Sequence, residues 1–219
     1  MNRLSSIARR TATLAALGFA ASLLAAAPLQ QSAAPTKGSD SKSEGAVVGK
    51  AAPNFTLKTT DGKDWSLADA KGKVVVLEWV NPECPVCVRV CQTGVLADTI
   101  KGVKAAYPDA VYVAINSSAA RPSSLSSTAS YLAANKIEIP ALLDTDGAVG
   151  LQYRAKTTPH CFVIDADGVL VYQGALDDGR NGGAKTNYVV NAVNALKAGE
   201  AISPSSTKPY GCGIKYAKN

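Results

Sequence analysis

Val74-Val75-Val76-Leu77-Glu78-Trp79-Val80-Asn81-Pro82-Glu83-Cys84-Pro85-Val86-Cys87 is the stretch on which the fold turns. Its first seven residues are almost continuously apolar and mostly β-branched. Such a run is a strand buried on both faces, and strands of that kind belong to parallel sheets covered by helices. Asn81-Pro82 ends the strand. From Cys87 to Val103 the pattern turns helical, with Val90, Val95, Leu96 and Ile100 as the inner face. A cysteine pair two residues apart, between a buried strand and a helix, is the setting in which such a pair does redox chemistry.

Downstream, Ala110 to Ile115 forms a second buried strand, and Pro122 to Asn135 and Ala148 to Tyr153 form helices. Cys161 to Ile164 and Val169 to Gln173 are strands joined by the turn Asp165-Ala166-Asp167-Gly168, where glycine supplies the positive φ. Asn187 to Lys197 is a closing amphipathic helix. Upstream, Phe55 and Trp65 to Leu67 form a small hairpin ahead of the core. The alternation of strands and helices predicts an α/β fold, a mixed central sheet flanked by helices. The tail from Ser203 to Asn219 is irregular, but Tyr210, Cys212 and Tyr216 give it groups with which to dock.

The start of the chain is not domain-like. Arg3, Arg9 and Arg10 precede an uncharged apolar run from Ala12 to Ala27, and Ala25-Ala26-Ala27 is a small-residue cleavage region. Residues 1–27 are therefore read as a secretory signal peptide, the run being short of the ~20 residues that span a bilayer. If uncleaved, it would tether the chain to a membrane. Without it the formal charge falls from +6 to +3, and no cluster of basic residues with interleaved aromatics remains. No nucleic-acid partner is expected. Residues 28–46 are a flexible linker of Ser, Ala, Gly, Lys and Pro; 47–202 are the domain and 203–219 the tail. Export puts the protein in the periplasm or outside the cell, where disulfides persist.

The cysteine pair carries the chemistry. Two intervening residues bring both sulfurs to the first helical turn, where unsatisfied N–H groups stabilise a thiolate. A cysteine so placed becomes acidic and attacks disulfides. Cys84 is the exposed attacker and Cys87, deeper, resolves the mixed disulfide; Pro85 suits the first turn. Half of a zinc site and a permanent bridge are the competing readings, the former lacking a second such pair. Five cysteines cannot all pair within one chain.

From Ala52 to Leu176 the chain resembles the thioredoxin-like redoxins, the group that includes the alkyl hydroperoxide reductase/thiol-specific antioxidant proteins. The resemblance rests on Ala52-Pro53-Asn54-Phe55-Thr56-Leu57, Gly72-Lys73-Val74-Val75-Val76-Leu77, the cysteine motif, Thr157-Thr158-Pro159-His160-Cys161-Phe162-Val163-Ile164-Asp165 and Asp167-Gly168. It implies a thioredoxin-like three-layer sandwich. It implies that Thr158-Pro159 is the cis-proline loop that binds a partner's extended backbone, with His160 nearby. It also implies that Glu78 is the buried acid that moves the resolving cysteine's proton. Its substrates would be protein or small-molecule disulfides, reset by an external thiol reductant, with no cofactor and no resident metal.

Three further cysteines stand apart. Cys161 fits a buried strand, and Cys91 is either core or a partner in an alternative disulfide. Cys212, between two glycines, is a resolving or a structural cysteine; a bridge pinning the tail to Cys161 or Cys91 is the preferred reading. Two functions compete with disulfide exchange. A peroxidase would use Cys84 on peroxide, with Arg154 supplying charge, but Asn81 stands where those enzymes place Thr or Ser. A copper-binding protein would use Cys84, Cys87 and His160, although thioredoxin-fold copper chaperones space their cysteines one residue wider.

Overall fold

A computed structural model describes residues 45–180 and 182–217. The leader at 1–27 and nearly all of the linker lie outside the described residues. The ordered domain takes in Gly45 and Ala46: Ala46 is buried and its N–H donates to the Gln152 carbonyl at 3.0 Å.

The elements follow in chain order. Strands β1 (Thr56–Thr59) and β2 (Asp64–Ser66) lead through a 3-10 turn (Leu67–Ala70) to β3 (Val75–Trp79). Helices α1 (Pro85–Gln92) and α2 (Val95–Ala106) precede β4 (Val111–Asn116). Helices α3 (Pro122–Ser126) and α4 (Thr128–Ala134) precede β5 (Ala141–Leu143), which is followed by α5 (Ala148–Gln152). Then come β6 (Thr157–Thr158), β7 (His160–Ile164), β8 (Leu170–Gly174), α6 (Tyr188–Ala198) and β9 (Cys212–Gly213).

Seven strands form one mixed sheet in the order β2-β1-β5-β4-β3-β7-β8. The quoted run lies at its middle, with β3 parallel to β4 and antiparallel to β7. Strand β5 carries no clear signal in the sequence. It pairs with β4 and with β1, so the N-terminal hairpin becomes one wing of the main sheet.

Side chains alternate across β3 and sort the core into two layers. Val76 and Val80 face α1, α2 and α6, packing with Val90, Leu96, Val103, Val189 and Val193. Val75, Leu77 and Trp79 face the other way, into an aromatic layer with Phe55, Tyr153 and Phe162. There Trp79 meets Phe162 edge-on at 5.0 Å and Tyr153 at 5.4 Å. Glu78, with the parity of Val76 and Val80, faces the helices.

The single long helix read from Cys87 to Val103 is two helices. Gly94 takes φ +81 between them, a conformation glycine adopts without penalty, and caps α2. The bend re-phases the second helix, so Leu96, Thr99 and Val103 become its buried residues while Val95 and Ile100 are only half-buried.

Candidate active site

The loop Asn81–Glu83 carries the chain from the centre of the sheet into α1. Asn81 holds it: its side-chain oxygen accepts from the Glu83 N–H (2.7 Å) and from the Ser124 hydroxyl (2.9 Å), and its carbonyl accepts from the Cys84 N–H (2.9 Å). Cys84 is the N-cap of α1 with extended backbone, Pro85 is the first helical residue and Cys87 follows on the same turn.

The two sulfurs have opposite proton affinities. Cys84 is pushed far below the ordinary thiol value, chiefly because the Cys87 thiol donates to it. Burial opposes this, while the Cys212 thiol, the Cys87 backbone N–H and Thr158 add to it. Cys87 is pushed well above the ordinary value by burial and by the neighbouring Cys84 sulfur. One thiolate and one thiol therefore share the head of the helix. When protonated, Cys84 instead donates to the Thr158 carbonyl at 3.0 Å. The Thr158-Pro159 peptide is cis.

Glu78 is buried in β3, opposite Cys161 across β7, and not at a sheet edge. One carboxylate oxygen accepts from the Tyr112 hydroxyl at 2.6 Å; the other is buried with no partner among the described residues. Burial raises it to about 7, with the Tyr112 bond pulling it down and Asp177 pushing it up. Its charge acts in turn on the Cys87 thiol. Tyr112 is thus a functional neighbour the sequence offers no motif for.

Several expectations change. Cys84 is not exposed: its relative exposure is 0%, and the C-terminal tail runs beside it, with Cys212 opposite Thr158. His160 turns into the aromatic layer, 4.5 Å from Phe162 between ring centres, and its Nδ1 accepts from the Lys156 N–H at 3.2 Å. Burial and the Lys156 charge lower it to about 4, so it is neutral, and no thiol is among the groups that shift it. Arg154 is exposed and packs over Gly45. Among the described residues no group of three His, Cys, Asp or Glu side chains is arranged to hold a metal ion.

The remaining cysteines separate. Cys161 is buried facing the helices, and Cys91 meets the Tyr131 hydroxyl at 2.8 Å. That hydroxyl also donates to the Cys87 carbonyl at 2.8 Å. Cys212 goes to neither: it sits on β9, paired with β6 so that Cys212 stands opposite Thr158. Its sulfur is near enough to Cys84 and to the Val86 backbone N–H for both to shift its proton affinity. It is a free thiol, as are the other four. The bridge expected to Cys161 or Cys91 gives way to a position beside Cys84.

A mixed sheet between helices, with a cysteine pair opening the helix after its central strand, defines a thioredoxin-fold redox protein. The AhpC/TSA family pattern matches residues 48–173, more than half of the chain, and the protein belongs to that family. It is 30% identical over 165 residues to the thiol-disulfide oxidoreductase ResA of Bacillus subtilis (strain 168), a match that covers 74% of this chain and 81% of that one. A hypothetical protein of Sinorhizobium meliloti 1021 superposes with a TM-score of 0.65 at 25% identity, covering 79% of this chain and 96% of its own. An uncharacterized protein of Geobacillus kaustophilus gives 0.64 at 25%, covering 79% and 94%. The chain is an oxidoreductase with a thioredoxin-like redox function.

Proposed function

We propose that this protein is an exported thiol–disulfide oxidoreductase working through Cys84 and Cys87. The observation that carries the reading is the placement of Cys84 at the N-cap of α1, with Cys87 on the same turn and the Thr158 carbonyl 3.0 Å from the Cys84 sulfur; there Cys84 is held acidic and Cys87 keeps its proton. The Cys84 thiolate attacks one sulfur of a substrate disulfide, and the other sulfur leaves as a thiolate. Cys87 then gives its proton to Glu78 and attacks the Cys84 sulfur, and the product sulfur leaves as a thiolate that is protonated by Glu78 or by water. A buried acid near 7 is matched to that transfer. The Cys84–Cys87 disulfide left behind is reset by an external thiol reductant. Thr158 and cis-Pro159 form the platform beside Cys84 on which an extended substrate lies, protein or small molecule. His160 supports that platform from the aromatic layer.

The basic and apolar leader at 1–27 supports export to the periplasm or beyond, with a membrane tether if it is retained. No helix among the described residues is long and apolar enough to cross a membrane. The peroxidase reading has less support, because the Asn81 side chain is engaged by Glu83 and Ser124. The copper reading has less still, because His160 faces Phe162.

Insulin reduction with dithiothreitol as reductant, run beside peroxide consumption and Cu(I) titration, separates the three. Insulin reduction lost in Cys84→Ser is expected. A Cys84→Ser protein that keeps full reductase activity overturns the proposal.

A further inference from the structure

The tail does not trail from the domain; it is threaded through the site. Thr207 lies along β8, where its N–H donates to the Gln173 carbonyl (3.1 Å) and its hydroxyl meets Tyr172 (2.6 Å). Tyr210 donates to buried Asp177. Beyond the cysteine, the Ile214 N–H donates to the Lys156 carbonyl (3.2 Å), the Lys215 carbonyl accepts from the Ala120 N–H (2.9 Å), and the Tyr216 hydroxyl donates to the Ala155 carbonyl (2.8 Å). Anchored on both sides, the segment between is held as an extended strand on the edge of β6.

That edge is where an incoming substrate strand would pair, since extended peptides add to free strand edges through main-chain bonds. The tail takes it, and places a cysteine opposite Thr158, whose carbonyl is 3.0 Å from the Cys84 sulfur. The residue before that cysteine is constrained as well. Gly211 has φ +128, and a Cβ there would fall 2.0 Å from the Thr158 carbonyl oxygen and 3.3 Å from Pro159. Only glycine fits this approach.

We propose that Tyr210–Gly213 is a built-in substrate strand and that Cys212 is a third redox residue, exchanging with the Cys84–Cys87 disulfide to form a closed Cys84–Cys212 state. The inference rests on the function proposed above and deepens it. The step is redox-neutral. The Cys212 sulfur attacks the Cys84 sulfur, the Cys84–Cys212 bond forms and the Cys84–Cys87 bond breaks. The electron pair leaves on the Cys87 sulfur, which takes up the proton Cys212 gives up. No oxidant is needed. In the closed state a partner must displace the tail before it reaches Cys84.

Two variants separate the chemical part from the steric one. Cys212→Ser keeps the strand and loses the exchange; Gly211→Ala loses both. Full-length Cys87→Ser is equilibrated with glutathione disulfide, quenched in acid, and its peptides are mapped without reduction. The expected product is an internal Cys84–Cys212 link, formed after one glutathione adds to Cys84 and is released by Cys212. Only the Cys84–glutathione adduct overturns the proposal. In parallel, Cys84 alkylation by iodoacetamide is followed in the otherwise unaltered reduced chain. Slow labelling of wild type and Cys212→Ser, and several-fold faster labelling of Gly211→Ala, are expected; equal rates in all three overturn the shielding. Insulin reduction by the wild type in the same preparation shows whether the underlying activity stands, so failure of the tail proposal is distinct from failure of the function.

Discussion

At the scale of single residues, the site is governed by where charge is tolerated. Glu78 and His160 are both buried, and burial moves them in opposite senses. The folded value of Glu78, about 7, lies above its ordinary 4.5. Between those values the native state holds a proton that the unfolded chain has lost, so stability falls as pH rises through the window. The full effect is roughly 3 kcal/mol at ~1.4 kcal/mol per unit. The folded value of His160, about 4, lies below 6.5. There the unfolded chain binds the proton first, and stability falls as pH drops from 6.5 toward 4. The two oppose each other from 4.5 to 6.5, which flattens the wild-type profile. Glu78→Gln removes one of them. Its urea-unfolding stability relative to wild type is expected to improve steadily from pH 4.5 to 7, while the rate of insulin reduction falls. Parallel stability profiles would show that the carboxyl is not held protonated.

A second residue-scale prediction concerns Asn81, whose side-chain oxygen satisfies two donors ahead of Cys84. Asn81→Ala leaves the buried Ser124 hydroxyl without an acceptor for its proton, while it still accepts from the Asn116 amide, a loss of ~1–3 kcal/mol in urea unfolding. It also releases the loop that sets Cys84, so insulin reduction slows. Unchanged stability and rate would mean the loop is held by its backbone alone. The sequence marks Asn81 only as a departure from a peroxidase pattern. Its use becomes visible once Ser124, 43 positions away, is seen to meet it.

Among elements, what was legible is what is local. The β-branched run gives β3, the cysteine spacing gives the head of α1, and Asp165 to Gly168 gives the turn into β8. Gly94 is a local signal that the apolar period masks: Thr93-Gly94 is a breaker within a periodic pattern, and it divides the helix expected from Cys87 to Val103 into α1 and α2. Strand β5 and the two-residue strands β6 and β9 are too short for any period to show, and only pairing partners define them. The buried face of α2, with Leu96 fully inside and Ile100 at its margin, is testable. Leu96 is fully buried against the sheet, so Leu96→Ala is expected to lower unfolding stability by about 2–5 kcal/mol. Ile100→Ala, half-buried, should cost clearly less. Equal losses would put Ile100 fully on the buried face, as the sequence pattern has it.

For the whole molecule, the feature no local reading reaches is the return of the C-terminus to the active site. Cys212 and Thr158 are 54 positions apart, yet they face each other across β9 and β6. This long-range pairing brings Cys212 beside the buried Cys84 rather than to a core cysteine. Tyr210 is the tail's inner anchor on Asp177. Tyr210→Phe removes that bond while keeping the ring, so hydrogen exchange at Cys212 and Gly213 is expected to quicken while the exchange of β3 and β7 stays as it was. Protection unchanged at Cys212 would mean the strand is held by β6 alone.

The account depends on Cys84 being ionised where an ordinary cysteine is not. The direct measurement is thiolate absorbance near ~240 nm against pH, for the reduced wild type and reduced Cys84→Ser, since thiolate rather than thiol is the reactive form and absorbance needs no access to the covered sulfur. One full thiolate already present at neutral pH in the wild type, and missing from the variant, is the predicted result. A wild type with no thiolate until the pH approaches the ordinary thiol value of 9.0 would contradict it.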